Sequence, residues 1–124
     1  FSPGVESSQG AVGLMQLMLE TAQEYIDKPV EKAFLKDPSV NLLIGSRYLQ
    51  DLFEIWDDNP FLAIASYNAG PTIVSEWISN ELEIDPELWV ERIPYPETRF
   101  YTKKVLGNLW SYLHLDLKLC SADI

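Results

Sequence analysis

The chain is poor in reactive side chains. Its 124 residues include one cysteine, Cys120, and one histidine, His114. A single thiol cannot close an internal disulfide, and with a lone imidazole it cannot assemble a cluster of soft metal ligands. The same scarcity argues against nucleophilic catalysis by a Ser–His or Cys–His pair, so His114 reads as a surface or half-buried helix residue. No apolar run approaches the roughly 20 residues that span a bilayer. No signal-peptide pattern opens the chain either, which leaves its compartment open, because mature proteins and excised domains lack such signals too. Positive charge is also scarce: 9 Lys and Arg stand against 19 Asp and Glu, a net charge of −10. Binding to nucleic acid needs basic patches that neutralise phosphates, so nucleic acid is not an expected partner.

What is present is a core-forming composition, 47% hydrophobic and 23% charged, in a length that suits about one domain. The charge is uneven, because all but three of the acids precede residue 95. The cluster Arg99, Lys103 and Lys104 is therefore the best place for an anionic ligand, although a solvated helix face is the commoner use of such a cluster.

Helix signals dominate. Leu14 to Ile26 carries apolar residues close to a helical stripe and ends at Pro29. After a short segment, Val30 to Leu35, Asp37 and Pro38 supply the N-cap and first position of a long helix. Asn59 and Pro60 repeat that pattern, with Gly70 as the stop. Pro71 opens a further helix, Asp85 and Pro86 another, and a last one runs from Pro96 to about Leu117. No alternating run of strand length stands out. The fold class expected is mainly α, with little or no β-structure.

Three stretches carry possible chemistry. "GAVGLMQLMLETA" places Gly13 before a strongly apolar turn with one amide, Gln16, inside it. "SYNAGP" puts Tyr67 and Asn68 at the end of an apolar helix. A hydroxylated aromatic beside an amide suits a sugar, which offers apolar faces, donors and acceptors. The competing reading is a plain helix C-cap. "IPYPETRFY" places Glu97 in a first helical turn, where the macrodipole favours negative charge. Tyr101 lies one turn on, on the same face. Simple helix charging and core packing would explain this pair as well.

Taken together and in this order, "GAVGLMQLMLETA", "ASYNAGP" and "IPYPETRFYTKKVL" resemble the catalytic domain of the soluble lytic transglycosylases of bacteria, within the lysozyme-like superfamily. "LKDPSVNLLIGSRYLQDL" is similar to the family's segment between the first two motifs. The resemblance covers nearly the whole chain and implies a lysozyme-like helical domain over residues 1–124. By the same resemblance Ser7, Gln16, Met18, Tyr67, Asn68, Glu97 and Tyr101 line or support a substrate cleft. Gln16 would contact the sugar chain, at the start of a helix that Gly13 lets approach closely. Tyr101 would lie near the acid, and Glu97 would orient groups rather than transfer protons. Tyr67, Asn68, Gln16 and Glu97 are expected to converge on one groove.

The family's catalytic acid is the Glu of a Glu-Ser-x-aromatic-x-Pro pattern. Phe1-Ser2-Pro3 matches the aromatic-x-Pro part without a gap through to Gln16, which places that Glu three residues before Phe1. The domain is thus expected to be cut short at its amino end, and the chain by itself to cleave very poorly or not at all. Glu6-Ser7 is a substitute "ES", but using it would require deleting residues before Gly13 and would leave no upstream helix to hold the carboxyl group. A second departure is Leu19, where the family usually has proline.

The resemblance implies cleavage of the β-1,4 bond between N-acetylmuramic acid and N-acetylglucosamine, without water, leaving 1,6-anhydro ends. It implies no metal and no cofactor, peptidoglycan glycan strands as partner, and a periplasmic, cell-envelope or extracellular location. The strongly acidic charge sits awkwardly with peptidoglycan, itself an anion. A non-catalytic lysozyme-like module that grips glycan is the alternative, and a hydrolase of the same fold is a third reading.

Overall fold

Prolines open five of the eight helices found among the described residues. A proline at the first helical position costs no hydrogen bond, because that N–H has no partner within the helix, and its fixed φ already suits the helix. The computed structural model describes residues 4–8, 10–13 and 15–122, with side chains described as far as residue 111. The helices are α1 (Leu19–Gln23), α2 (Lys32–Leu35), α3 (Pro38–Ile55), α4 (Pro60–Ala69), α5 (Pro71–Ser75), α6 (Glu81–Ile84), α7 (Pro86–Glu91) and α8 (Pro96–Ala122). No strand occurs among the described residues; the β-structure there is two isolated bridges, Glu6 with Val12 and Val12 with Leu17.

The caps are those the sequence announces. Asp37 Oδ1 accepts from the backbone N–H of Ser39 and Val40 at the start of α3. Asn59 Oδ1 accepts from Phe61 and Leu62 in α4, and Asp85 Oδ1 from Leu88 in α7. Each bond satisfies a donor that the first turn leaves without an intrahelical partner. Gly70 ends α4 with φ +92°, a conformation open to glycine at little cost. α8 runs to Ala122, past the expected end near Leu117, since no proline or glycine interrupts the residues between.

The first helix corrects the sequence reading. The apolar stripe predicts a helix from Leu14, but α1 begins only at Leu19. Gly13, Met15 and Gln16 are turn residues, and Gln16 itself has φ +49°. Leu14, Phe1, Ser2 and Pro3 lie outside the described residues, as do the side chains of His114 and Cys120. Leu19, at the site of the family's proline, is the first residue of α1 and follows an extended Met18 with φ −79° and ψ 145°. The helix entrance thus has the geometry that a proline there would require.

The chain forms two compact units, residues 1–51 and 52–124, and the boundary falls within α3. The core of the second is built from Leu62, Ala65, Val74, Leu82, Trp89, Val90 and Ile93, with Trp56, Phe61, Trp77 and Leu106 packed against it. Burying tryptophan requires a partner for its N–H. Trp56 Nε1 donates to Ser66 Oγ at 2.8 Å, and Trp89 Nε1 donates to the Trp77 carbonyl at 2.8 Å. α8 packs against α4 and α7 in this unit.

Candidate functional site

In the first unit the residues singled out by sequence sit in a folded loop, not on a helix. Val12 and Leu17 exchange both backbone hydrogen bonds, at 2.7 and 2.9 Å, and so close the loop that holds Gly13 and Gln16. Gln16 N–H donates to the Gly13 carbonyl at 3.1 Å, and Gln16 Nε2 donates to the same oxygen at 2.7 Å. The turn therefore uses part of the amide expected to face sugar, which leaves its oxygen and second N–H as what it can offer a ligand. Ser7 Oγ accepts from Ala11 N–H at 3.0 Å, so it shapes the preceding bend. Met18 is exposed.

A residue the sequence reading passed over holds this loop. Asn41, on α3, is completely buried. Its Nδ2 donates to the carbonyls of Val12 and Leu35 at 2.8 and 2.9 Å, and its Oδ1 accepts from Met15 N–H at 2.6 Å. Both donors and the acceptor of the amide are thus in use, as burial demands. Glycines let the loop come this close. A Cβ on Gly13 would lie 2.8 Å from Asn41 Cγ and 3.0 Å from the Leu35 oxygen. Gly13 also has φ +79°, which a side chain would strain. Gly45 of α3 likewise makes room for Met15, whose Cβ would lie 2.6 Å from an added Cβ. A lone amide in the apolar run "SVNLLIG" was the available signal.

Glu6, the substitute acid, forms ion pairs with Lys32 Nζ at 2.7 Å and Lys36 Nζ at 3.6 Å. The hydrogen bond from Lys32 and its charge hold this carboxyl below its ordinary range. A general acid for glycosidic oxygen needs the opposite, a carboxyl raised by an apolar pocket.

In the second unit the motif residues lie on two helix ends. Ser66, Tyr67 and Asn68 close α4: Ser66 is buried against Trp56, Tyr67 is half-buried and Asn68 is exposed. Glu97, also exposed, lies in the first turn of α8, and Tyr101 follows one turn later. Burial pushes the Tyr101 phenol up from its ordinary range, so it stays a neutral hydroxyl at physiological pH. A side-chain bond ties the two helix ends together: Thr98 Oγ1 donates to Asn68 Oδ1 at 2.7 Å. Thr98 is almost fully buried, and Thr102 beneath it donates to the Thr98 carbonyl at 2.7 Å. Thr98 was not among the residues picked by sequence, although two threonines spaced four apart inside "ETRFYT" marked a helix face with hydroxyls to satisfy.

The basic cluster is partly occupied within the protein. Lys103 pairs with Glu91 at 2.6 Å, and Arg99 Nη1 donates to the Ile93 carbonyl at 3.4 Å. Among the described residues, no group of three or more His, Cys, Asp or Glu is placed to hold a metal ion, and no helix is long and apolar enough to cross a membrane.

A family model described as the transglycosylase SLT domain matches residues 1–90. A soluble lytic murein transglycosylase of Escherichia coli K12 is 39% identical over 113 residues, covering 86% of this chain and 18% of the relative. One from Salmonella typhimurium is 38% identical over 120 residues, covering 92% of this chain and 19% of the relative. The chain therefore spans less than a fifth of the length of these relatives. Among solved structures, an inactive mutant of the lytic transglycosylase Slt from Pseudomonas aeruginosa superposes with a TM-score of 0.71 at 35% identity, covering 86% of this chain and 18% of that one. The 70-kDa soluble lytic transglycosylase in complex with bulgecin A gives a TM-score of 0.71 at 37% identity, covering 84% of this chain and 18% of that one. With a mainly helical fold, a matched family model over most of its length and relatives well above 30% identity, the chain belongs to the transglycosylase SLT domain family.

Proposed function

We propose that this chain is the glycan-holding part of a peptidoglycan lytic transglycosylase, and that it works with an acid carried on a segment preceding Phe1. The observation that carries the reading is the Thr98–Asn68 bond, which joins the end of the "SYNAG" helix to the start of the "ETRFY" helix. The bond joins two motifs that lie 30 residues apart along the chain. In this reading Tyr67, Asn68, Glu97 and Tyr101 of the second unit face the glycan strand, and in the first unit Ser7, Gln16 and Met18 are its glycan-facing residues.

The chemistry follows from a single carboxylic acid. In an apolar pocket its protonated form is favoured, and it donates to the glycosidic oxygen between N-acetylmuramic acid and N-acetylglucosamine. The 2-acetamido oxygen assists departure of the leaving sugar, one of the exceptions to two-carboxylate hydrolysis. The same carboxylate then takes the proton of the muramic acid 6-hydroxyl, and that oxygen closes the 1,6-anhydro ring. The Tyr101 hydroxyl, kept neutral by burial, supplies a donor beside the acid without competing for its proton. Glu6, exposed and paired with two lysines, is unsuited to the acid's role. Such an enzyme acts in the periplasm, the cell envelope or outside the cell.

The test compares the chain alone with the chain extended upstream through the Glu-Ser pair, both incubated with sacculi and analysed by mass spectrometry. The extended protein should release 1,6-anhydromuropeptides, lighter by one water than hydrolysed fragments, and the short chain should not. Hydrolysed ends would make the enzyme a lysozyme-like hydrolase. Glycan binding by both proteins with no cleavage would make the domain a binding module. Activity of the short chain that Glu6→Gln abolishes would make Glu6 the acid.

A further inference from the structure

We infer that Thr98 is a positioning residue that fixes the polarity of the Asn68 amide, so that its two N–H donors face outward at this point. The inference rests on the reading of Asn68 as a glycan-facing residue. An asparagine amide has two nearly isosteric orientations, one offering its oxygen outward and the other its NH2. What selects between them is the partner on the protein side.

Here that partner is a buried hydroxyl. Thr98 is 2% exposed, and its Oγ1 donates to Asn68 Oδ1 at 2.7 Å. A buried O–H left without an acceptor carries a desolvation cost, so the hydroxyl proton seeks an oxygen. Thr102 directs its own hydroxyl to the Thr98 carbonyl and so does not occupy Thr98 Oγ1. Were Asn68 turned over, its NH2 would face Thr98 Oγ1 and the Thr98 proton would lose this acceptor. The buried bond therefore orients the exposed amide with its nitrogen outward. An outward NH2 recognises acceptor atoms on a ligand, such as an amide carbonyl or a hydroxyl lone pair, and rejects a group that can only donate, such as an ammonium.

The probe is chitotetraose, titrated calorimetrically into the chain and its variants. Asn68→Ala should weaken binding roughly three- to tenfold, as expected for one or two lost hydrogen bonds. Thr98→Val keeps the shape of the buried side chain and removes its proton, and it should weaken binding by a similar factor. Thr98→Ser should restore it. In the Asn68→Ala background Thr98→Val should have no further effect on affinity, which a merely structural role would not predict. Asn68→Asp, which replaces the outward donor with an acceptor, should bind as weakly as Asn68→Ala. If the unaltered chain fails to bind, or Asn68→Ala leaves affinity unchanged, the glycan-facing reading of Asn68 falls and this inference with it. If Asn68→Ala weakens binding while Thr98→Val does not, or Asn68→Asp binds normally, the reading stands and the inference is overturned.

Discussion

The two units hold their motif residues by different means. Around Gly13 to Leu17 the backbone is irregular, with left-handed residues, and a buried asparagine from α3 holds it by three hydrogen bonds. At the end of α4 and the start of α8 the backbone is regular helix, and a side-chain bond joins the two termini as the helices pack together. The loop closes through its own Val12–Leu17 and Gln16–Gly13 bonds and is fixed in position by the contacts of Asn41. The helix ends have their shape already and need only be brought together. Damage to the anchor should therefore unfold the first region, whereas damage to the tie in the second should alter the surface and spare the fold.

The sharpest way to break this contrast is Asn41→Leu. It leaves Leu35 O and Met15 N–H without their partner, at about 1–3 kcal/mol for each orphaned group, and takes from Val12 O one of its two donors, the other being Leu17 N–H. A total loss of about 3 kcal/mol or more is expected, a large share of the roughly 5–15 kcal/mol of a typical domain. Urea denaturation followed by circular dichroism measures it, and a loss under about 1 kcal/mol would show that the loop does not depend on its anchor. Asn68→Ala probes the other side. It strips one acceptor from the Thr98 hydroxyl, next to an exposed side chain, so about 1 kcal/mol of stability should go while glycan affinity falls. A stability loss equal to that of Asn41→Leu would erase the distinction between the two regions.

A smaller effect concerns acid. Lys32 depresses the Glu6 carboxyl, so the folded state holds it ionised to lower pH than the unfolded chain does. The sign follows directly: the pair's stabilisation is present above the ordinary carboxyl range and is lost as pH falls through the lower folded value. Glu6→Gln should remove that dependence and otherwise change little, because the pair is exposed and screened. An NMR titration of Glu6 with a midpoint at or above that of a free glutamate would contradict it. The smallest effect expected is a gain. Leu19→Pro puts proline at the first position of α1 behind an already extended residue, and should stabilise by about 0.4–1 kcal/mol through the unfolded state. A thermal melt that moves down would mean that Leu19 N–H or its side chain has a role the geometry does not reveal.

The elements that were legible in the sequence are those whose causes are local. Asp37-Pro38, Asn59-Pro60 and Asp85-Pro86 announce their helices because cap and first position are neighbours in the chain. "SYNAG" and "ETRFY" could be placed at helix ends for the same reason. The stretch from Leu14 was misread because its apolar spacing fits a helix, while what decides it is a partner 26 residues away, Asn41 on Met15. Gly13 does permit a close approach, that of the Asn41 side chain and the Leu35 carbonyl, but in a left-handed turn and not at the start of a helix. Thr98 escaped notice because its role exists only once Asn68, 30 residues earlier, lies beside it.

The tryptophans have an optical consequence. All four, Trp56, Trp77, Trp89 and Trp110, follow residue 51, and the first three belong to the core of the second unit. The first unit has no indole, and its phenols are Tyr25 and Tyr48. Excitation that selects indole therefore reports on one unit and is blind to the loop that carries Gln16. Helical circular dichroism sees both. Any denaturation in which the two signals part company reads out, without an added label, whether residues 1–51 let go before residues 52–124.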